Sequence, residues 1–291
     1  MSGIGSTDFI VSPRLFRLGT TSFIVPDLII PNVIRLGPFF DEIELLVFES
    51  FPSNVLPSKE DVKTLLSLSR DLNLTYNIHL PTDVNLSDES SQKRQMAADT
   101  LSKVVDRFAL LTPSTYTLHL EMPRGVRQDM EDKKKMEGWV NTTRNGLNAL
   151  LSGIADPGII SIETLDYPFR YVEPLINEFH LSVCLDAGHQ IRYGHDLLQT
   201  FDTHKSRIPL IHLHGVDCSE TKKKDHKALD ALSEDEIGNI QNLLEIFRGV
   251  VSLEVFNLEN LNRSLLVLSR YFQDIPYPIP DQPLQGCTFH Q

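Results

Sequence analysis

SVCLDAGHQIRYGHDLL, residues 182–198, starts as a short apolar run and stops being one at Asp186, with His189 close behind. A buried strand that ends in a carboxylate and an imidazole reads as the C-terminal end of a parallel strand, where α/β barrels gather their chemistry. The reading gains force if other strands end the same way.

Short runs rich in Val, Ile, Leu, Thr and Tyr occur at LFRLGTTSFI (15–24), EIELLVF (42–48), LTYNIHL (74–80) and YTLHL (116–120). Four more follow at IISIET (159–164), LSVCLD (181–186), PLIHLH (209–214) and VVSLEVF (250–256). This composition fits strands covered on both faces. Helix-like segments lie between them, clearest at 90–111, 234–247 and 259–272. Eight strands alternating with helices predict an α/β fold, a (β/α)8 TIM barrel forming a single domain over 1–291 with its core at 15–272. The competing arrangement, an open doubly wound sheet, would bring a Gly-rich phosphate loop after an early strand. No GxGxxG or P-loop is present, and GIGST at the N-terminus precedes any strand. From Asp274 the chain is Pro-rich and reads as an irregular C-terminal tail, 274–291.

The formal charge of −12 argues against a broad basic groove and so against a nucleic-acid partner. No apolar stretch approaches the roughly 20 residues that span a bilayer, so no membrane partner is expected. The opening MSGIGSTDFIVSPRLF lacks a basic n-region followed by a long apolar stretch, which predicts no secretory signal. Three cysteines (Cys184, Cys218, Cys287), an odd number without close pairing, point to a reducing, cytoplasmic setting. Cys184 reads as core packing and Cys218 as incidental. The KKK runs at 133–135 and 222–224 read as solvated, and His180, His195, His204 and His290 as ordinary.

The strand ends form a pattern. The third run ends in His79, the fourth in His119, the fifth in Glu163 and the sixth in Asp186 with His189 beyond. The seventh carries His212 and His214, and the eighth Glu254. Residues two apart on a strand share a face, so His212 and His214 point the same way, as do Ser161 with Glu163 and Ser252 with Glu254. Each residue alone has an ordinary explanation: a strand-end His meets solvent and a strand-end Glu anchors a loop. Together they converge imidazoles and carboxylates on one volume. Burying unpaired carboxylates costs several kcal/mol, and divalent cations would organise both residue types. One or several divalent cations are therefore expected. The loop after the seventh run, GVDCSETKKKDHKALDAL (215–232), adds Asp225 and His226.

On these strand ends the chain resembles the xylose-isomerase-like barrels, specifically the apurinic-endonuclease family 2 superfamily. SVCLDAGHQIRYGHDL is similar to that family's sixth-strand motif, C-[IL]-D-x-x-H followed by G-x-D-[LV]. The resemblance to the three-metal branch, typified by type-IV apurinic endonucleases, implies metal ligands at His79, His119, Glu163, Asp186, His189, His212, His226 and Glu254. Within it, His79 and His119 would hold a first metal, and Asp186, His212 and Glu254 a second. Glu163 would bridge these two, and His189 with His226 would hold a third, so the resemblance implies roughly two or three metal ions per chain, Zn first and Mn second. That branch has an Asp-x-His pair after the seventh strand; here Asp225 and His226 are adjacent, which leaves Asp225 open as a ligand.

Two enzyme classes follow. A sugar isomerase or epimerase would need a single metal on Glu163, Asp186, His212 and Glu254, whereas a phosphodiesterase would use the whole set. The fuller set favours hydrolysis of a phosphoester, with Glu163, Asp186 and Glu254 as catalytic residues and His214 and Arg124 as substrate contacts. Type-IV endonucleases carry a Gly-rich polar loop after the first strand. The corresponding GTTSFIVPDLIIPNV here is apolar and suits a large, partly hydrophobic small molecule. With EIELLVFES, YNIHLPTDV, IHLHGV…KDHKAL and SLEVF, it resembles the cobamide-remodelling phosphodiesterases. That resemblance implies a cobamide or corrinoid substrate, cleaved in its nucleotide loop to allow lower-base exchange. An apurinic-site DNA endonuclease is the remaining alternative.

Overall fold

Alternate residues along each β-rich run face the barrel axis, and their neighbours face the helices. The computed structural model, which describes residues 11–47, 56–218 and 224–281, builds these runs into strands. They are β1 (Arg17–Thr21), β2 (Glu42–Leu46), β3 (Thr75–His79), β4 (Tyr116–Leu118), β5 (Ile160–Glu163), β6 (Ser182–Asp186), β7 (Leu210–Leu213) and β10 (Val250–Leu253). All pair in parallel and close a barrel in the order β1-β10-β7-β6-β5-β4-β3-β2. An unexpected antiparallel ribbon, β8 (Gly215–Asp217) with β9 (Lys224–Lys227), occupies the segment read as a loop after β7. Phe48, Lys222, Lys223, Cys287, His290 and the tail beyond Asp281 lie outside the described residues.

The helices form where polar starts meet apolar periodicity. α3 (Ser91–Phe108) buries Ala97, Leu101, Val104 and Phe108 along one stripe, and Ser90 caps its N-terminus. α2 (Lys59–Leu72) and α9 (Glu234–Ile246) each start with a capping box, Ser58 with Asp61 and Ser233 with Glu236. α5 (Lys133–Leu151) takes the first KKK run into its exposed first turn, capped by Asp132. The other helices are α1 (Ile29–Leu36), α4 (Arg124–Arg127), α6 (Glu173–Phe179), α7 (Ala187–Tyr193), α8 (Leu197–His204) and α10 (Leu258–Leu268). Among the described residues, no helix is long and apolar enough to cross a membrane.

The main hydrophobic core lies between sheet and helices, where Ile43, Ile78, Ile162, Leu185 and Leu213 pack with Leu65, Leu101, Leu147 and Leu265. The barrel interior is different. Branched apolar layers are usual there, but here Glu42, Glu44, Asn77, Thr117, Ser161 and Ser252 are fully buried. A small separate apolar cluster, Cys184, Leu210 and Val250, lies on β6, β7 and β10. Glu42 is satisfied by Asn77 Nδ2 at 2.9 Å, Ser114 Oγ at 2.7 Å, Arg17 at 3.2 Å and the Thr75 hydroxyl. Partners of this kind make a buried carboxylate tolerable.

The described part of the Pro-rich tail has no regular structure but is tied down. Asn262 donates from Nδ2 to the Ile279 carbonyl at 3.0 Å and accepts from the Ile279 N–H at 2.7 Å, and Ile279 is buried. Ser12 and Phe272 pair in an isolated parallel bridge beside the β1–β10 seam.

Candidate metal centre

The C-terminal strand ends and the segments that follow them place the expected side chains around one volume in three adjoining groups, the first two of which share Glu163. In the first, His119 Nε2 lies 2.8 Å and His79 Nε2 3.4 Å from Glu163 Oε2. The second joins Glu163, Asp186, His212 and Glu254. There His212 Nδ1 is 3.4 Å from Glu254 Oε2, 3.6 Å from Glu163 Oε2 and 4.0 Å from Asp186 Oδ2. The third is a set of imidazoles, His189, His214 and His226, one ring nitrogen from each lying within 4.8 Å of the others. Glu163 belongs to the first two groups and its Oε1 reaches His189 Nδ1 at 3.4 Å. His79, Glu163, Asp186, His212, His214 and Glu254 are buried, while His119, His189 and His226 are partly open toward the rim.

Asp186 does two things at once. As the N-cap of α7, its Oδ1 accepts the His189 N–H at 2.6 Å, which turns His189 back over the strand end. The same carboxylate reaches His214 Nε2 at 3.3 Å and His189 Nδ1 at 3.4 Å. Asp186 and His189 therefore fall in neighbouring groups, Asp186 in the carboxylate set and His189 in the imidazole set.

His214, expected as a substrate contact, stands inside the third group. Its ring stacks on His226 at 4.4 Å and meets His189 edge-on at 5.5 Å. Gly188 makes this possible, because a Cβ there would lie 2.1 Å from His214 Cε1 and 2.3 Å from Nδ1. Gly188→Ala is expected to displace His214 and empty the third group of metal while the first two retain theirs. Metal stoichiometry by mass spectrometry checks this, with circular dichroism as the control for folding. His226 is carried on β9 with φ 52°, the left-handed region that a Cβ disfavours by about 1–2 kcal/mol. Asp225 beside it lies 3.4 Å from His226 Nδ1 and 3.9 Å from His189 Nε2, and pairs outward with Arg192.

The electrostatics are those of buried charges held by one another. Burial acts to raise the pKa of Glu163, but His119 and His212 hold it well below the usual carboxylate range. Burial acts likewise on Glu254, which His212 and His226 hold down. For the imidazoles burial works downward and the carboxylates prevail. His119 is pushed up to about 10, chiefly by Glu163 and Glu121, and His189 to about 9 by Asp186 and Glu163. His212 and His226 are raised as well.

The donors fit divalent cations. Asp186 Oδ2, His212 Nδ1, His214 Nε2 and Glu254 Oε2 are buried without hydrogen-bond partners. Such atoms cost about 1–3 kcal/mol each unless something satisfies them. Mixed carboxylate and imidazole donors suit Zn or Mn, and a three-imidazole set suits Zn.

Other residues near the centre were not expected. Glu44, mid-strand on β2, has Oε1 2.8 Å from His212 Nε2, close but off the line of a hydrogen bond. Its signal was a second buried-parity carboxylate in EIELL, two residues after Glu42. Cys184, read as packing, also lies within ligand distance of Glu163 and His212. Arg124 is exposed on α4. Arg127, at the other end of that helix, pairs with Asp166 and lies 4.0 Å from Glu121, which is 3.5 Å from His119. At the rim, exposed Phe23 meets Phe256 edge-on at 6.3 Å, and Phe256 stacks on His226 at 4.8 Å.

Residues 32–271 match the family model described as a xylose isomerase-like TIM barrel. Over 171 residues the chain is 32% identical to Probable endonuclease 4 of Aster yellows witches'-broom phytoplasma (strain AYWB), covering 54% of this chain and 58% of that protein. The chain thus spans under two thirds of that relative's length. Among solved structures, a D-tagatose 3-epimerase-like protein superposes with a TM-score of 0.69 at 18% identity, over 88% of this chain and 97% of that one. IOLI protein with a binding zinc atom superposes with a TM-score of 0.68 at 15% identity, over 89% and 100%. At these identities the structural likenesses establish the fold.

Proposed function

The chain belongs to the xylose isomerase-like TIM barrel family, and from that footing we propose that it is a metal-dependent phosphodiesterase whose substrate is a cobamide. One observation carries the reaction class. A single-metal epimerase needs only Glu163, Asp186, His212 and Glu254, yet His79 with His119 and the three imidazoles His189, His214 and His226 extend that group on both sides. The relative named as an endonuclease favours phosphoester chemistry over isomerisation.

In hydrolysis a water oxygen adds to phosphorus, one P–O ester bond breaks, and the leaving alkoxide takes up a proton. Bound divalent ions supply charge neutralisation of the phosphoryl oxygens and acidify water. Glu163, in contact with His79, His119, His189 and His212, keeps the groups at fixed separation. Asp186 and Glu254 would hold a divalent ion through buried oxygens that lack hydrogen-bond partners, and the proton lost by the attacking water passes to solvent. His119, half-buried at the rim, would hold its metal as a neutral imidazole, so the leaving oxygen takes its proton from solvent.

The substrate class rests on the apolar loop after β1 and on the Phe23–Phe256 pair, which continues through His226 into the third group. That aromatic edge suits a large molecule with apolar surface. The net charge of −12 disfavours a DNA backbone. Metal-loaded protein incubated with an adenosylated cobamide is expected to release a truncated corrinoid and a base-containing fragment, separated by chromatography. An intact cobamide would sink this reading. Nicking of an abasic-site duplex in a parallel tube would support the endonuclease reading instead. Epimerisation of a ketose would support a single-metal enzyme, which the self-sufficient four-residue group also allows.

A further inference from the structure

We propose that Glu44 is a positioning residue that fixes the orientation of His212 and thereby sets the metal affinity of the carboxylate-rich group. The inference rests on the metal reading of the centre, but not on which phosphoester is cleaved. An imidazole that binds a cation through one nitrogen has a second nitrogen that needs an acceptor, and that acceptor selects the rotation of the ring. The two edges of His212 are sorted in this way. Nδ1 faces Glu254, Glu163 and Asp186 at 3.4, 3.6 and 4.0 Å, and Nε2 lies 2.8 Å from Glu44 Oε1, off the line of a hydrogen bond, so the carboxylate acts on this edge through its charge. A half-turn of the ring would put Cδ2 and Cε1 in the places of Nδ1 and Nε2 and leave both carboxylate-facing edges without a nitrogen.

Glu44 is itself held. Ser252 donates from Oγ to Glu44 Oε2 at 2.6 Å, and Ser252 is the residue registered against His212 across the β10–β7 pair. Ligand and brace therefore sit on adjacent strands, with the carboxylate reaching both from β2 across the barrel. All three side chains are fully buried, so bulk water does not substitute for the carboxylate. Glu44 itself is not in any of the metal-ligating groups, which separates its role from that of Glu163 or Glu254.

Glu42 supplies an internal comparison. It lies two residues earlier on the same strand and is equally buried, but its partners are Arg17, Thr75, Asn77 and Ser114. If buried charge in β2 matters only for folding, the two glutamates should respond alike.

The experiment measures Zn binding to the full-length chain by competition with a chromogenic chelator, for the native protein and for Glu44→Gln, Ser252→Ala and Glu42→Gln. Glu44→Gln is expected to weaken the carboxylate-rich site by about 10–100-fold, with the imidazole site unchanged. Ser252→Ala should weaken the same site by a smaller factor, and Glu42→Gln should leave it alone. Nitrogen-15 spectra of the Zn-loaded protein should show His212 bound through Nδ1 in the native chain and a mixed pattern in Glu44→Gln. Unchanged affinity in Glu44→Gln, or equal weakening in Glu42→Gln, would overturn the proposal. Should Glu44→Gln fail to fold, unchanged affinity in Ser252→Ala does so. A cobamide left intact by a chain that shows the Glu44 effect would overturn the substrate assignment alone.

Discussion

For the proposed phosphodiester hydrolysis, Glu163→Gln is expected to lower the rate on the order of a thousandfold while the chain stays folded. Glu163 is the residue on which the groups converge: Oε2 faces His119 at 2.8 Å, His79 at 3.4 Å and His212 at 3.6 Å, and Oε1 faces His189 at 3.4 Å. Glutamine keeps the shape but removes the negative charge and gives one position an N–H2 group, which repels a cation. Loss of one ligand shared by two sites weakens both, and a factor of a thousand corresponds to about 4 kcal/mol of transition-state stabilisation. Three measurements check it together: initial rate, metal stoichiometry and thermal midpoint. A variant that keeps full metal content and native turnover would refute the bridging role.

The second large effect is removal of metal. Stripping with a chelator is expected to abolish turnover and lower the thermal midpoint, with both restored by Zn or Mn. A cation present at about a thousand times its Kd stabilises the folded chain by roughly 4 kcal/mol. The metal-free protein should also show its own pH dependence. His119 and His189 have folded pKa values raised to about 10 and about 9. The stability they contribute is fully present below about 6.5, the unfolded imidazole value, and is lost as pH rises through 9 to 10. Glu163 and Glu254 are shifted the other way, so their contribution is present above the ordinary carboxylate range and is lost at acid pH. The metal-free midpoint should therefore fall at both ends. Metal affinity should rise with pH up to about 10, because each imidazole must release its proton before it can ligate. Thermal scans across pH, with and without Zn, test both signs.

The barrel was legible because each strand is short, β-rich and followed by a helix, and that rhythm survives without long-range information. The convergence of imidazoles and carboxylates was legible for a similar reason: they stand at strand ends, and strand parity puts Glu163 and His212 on the inward face. What escaped the sequence reading depended on partners distant in the chain. Glu44 sits mid-strand among apolar neighbours, and only barrel closure brings it to His212 and Ser252. The β8–β9 ribbon was hidden because KDHK is short and charged, with little strand propensity, and its pairing to Gly215–Asp217 is tertiary. His214 was seen to face inward, but its place beside His226 follows from that ribbon folding back over Gly188.

The β1–β10 seam has a consequence for how the protein comes into being. Barrel closure waits for Val250–Leu253 to insert between β7 and β1, so the pairing that completes the sheet joins the barrel's first strand to its last. Glu254 follows that strand directly, and the carboxylate-rich group lacks one of its four members until β10 docks. A nascent chain still on the ribosome at α9 already carries His79, His119, Glu163 and Asp186 but has no closed vessel to hold them. Metal capture at the full centre would thereby wait for β10, and a chain truncated before Val250 would lack both the seam and Glu254.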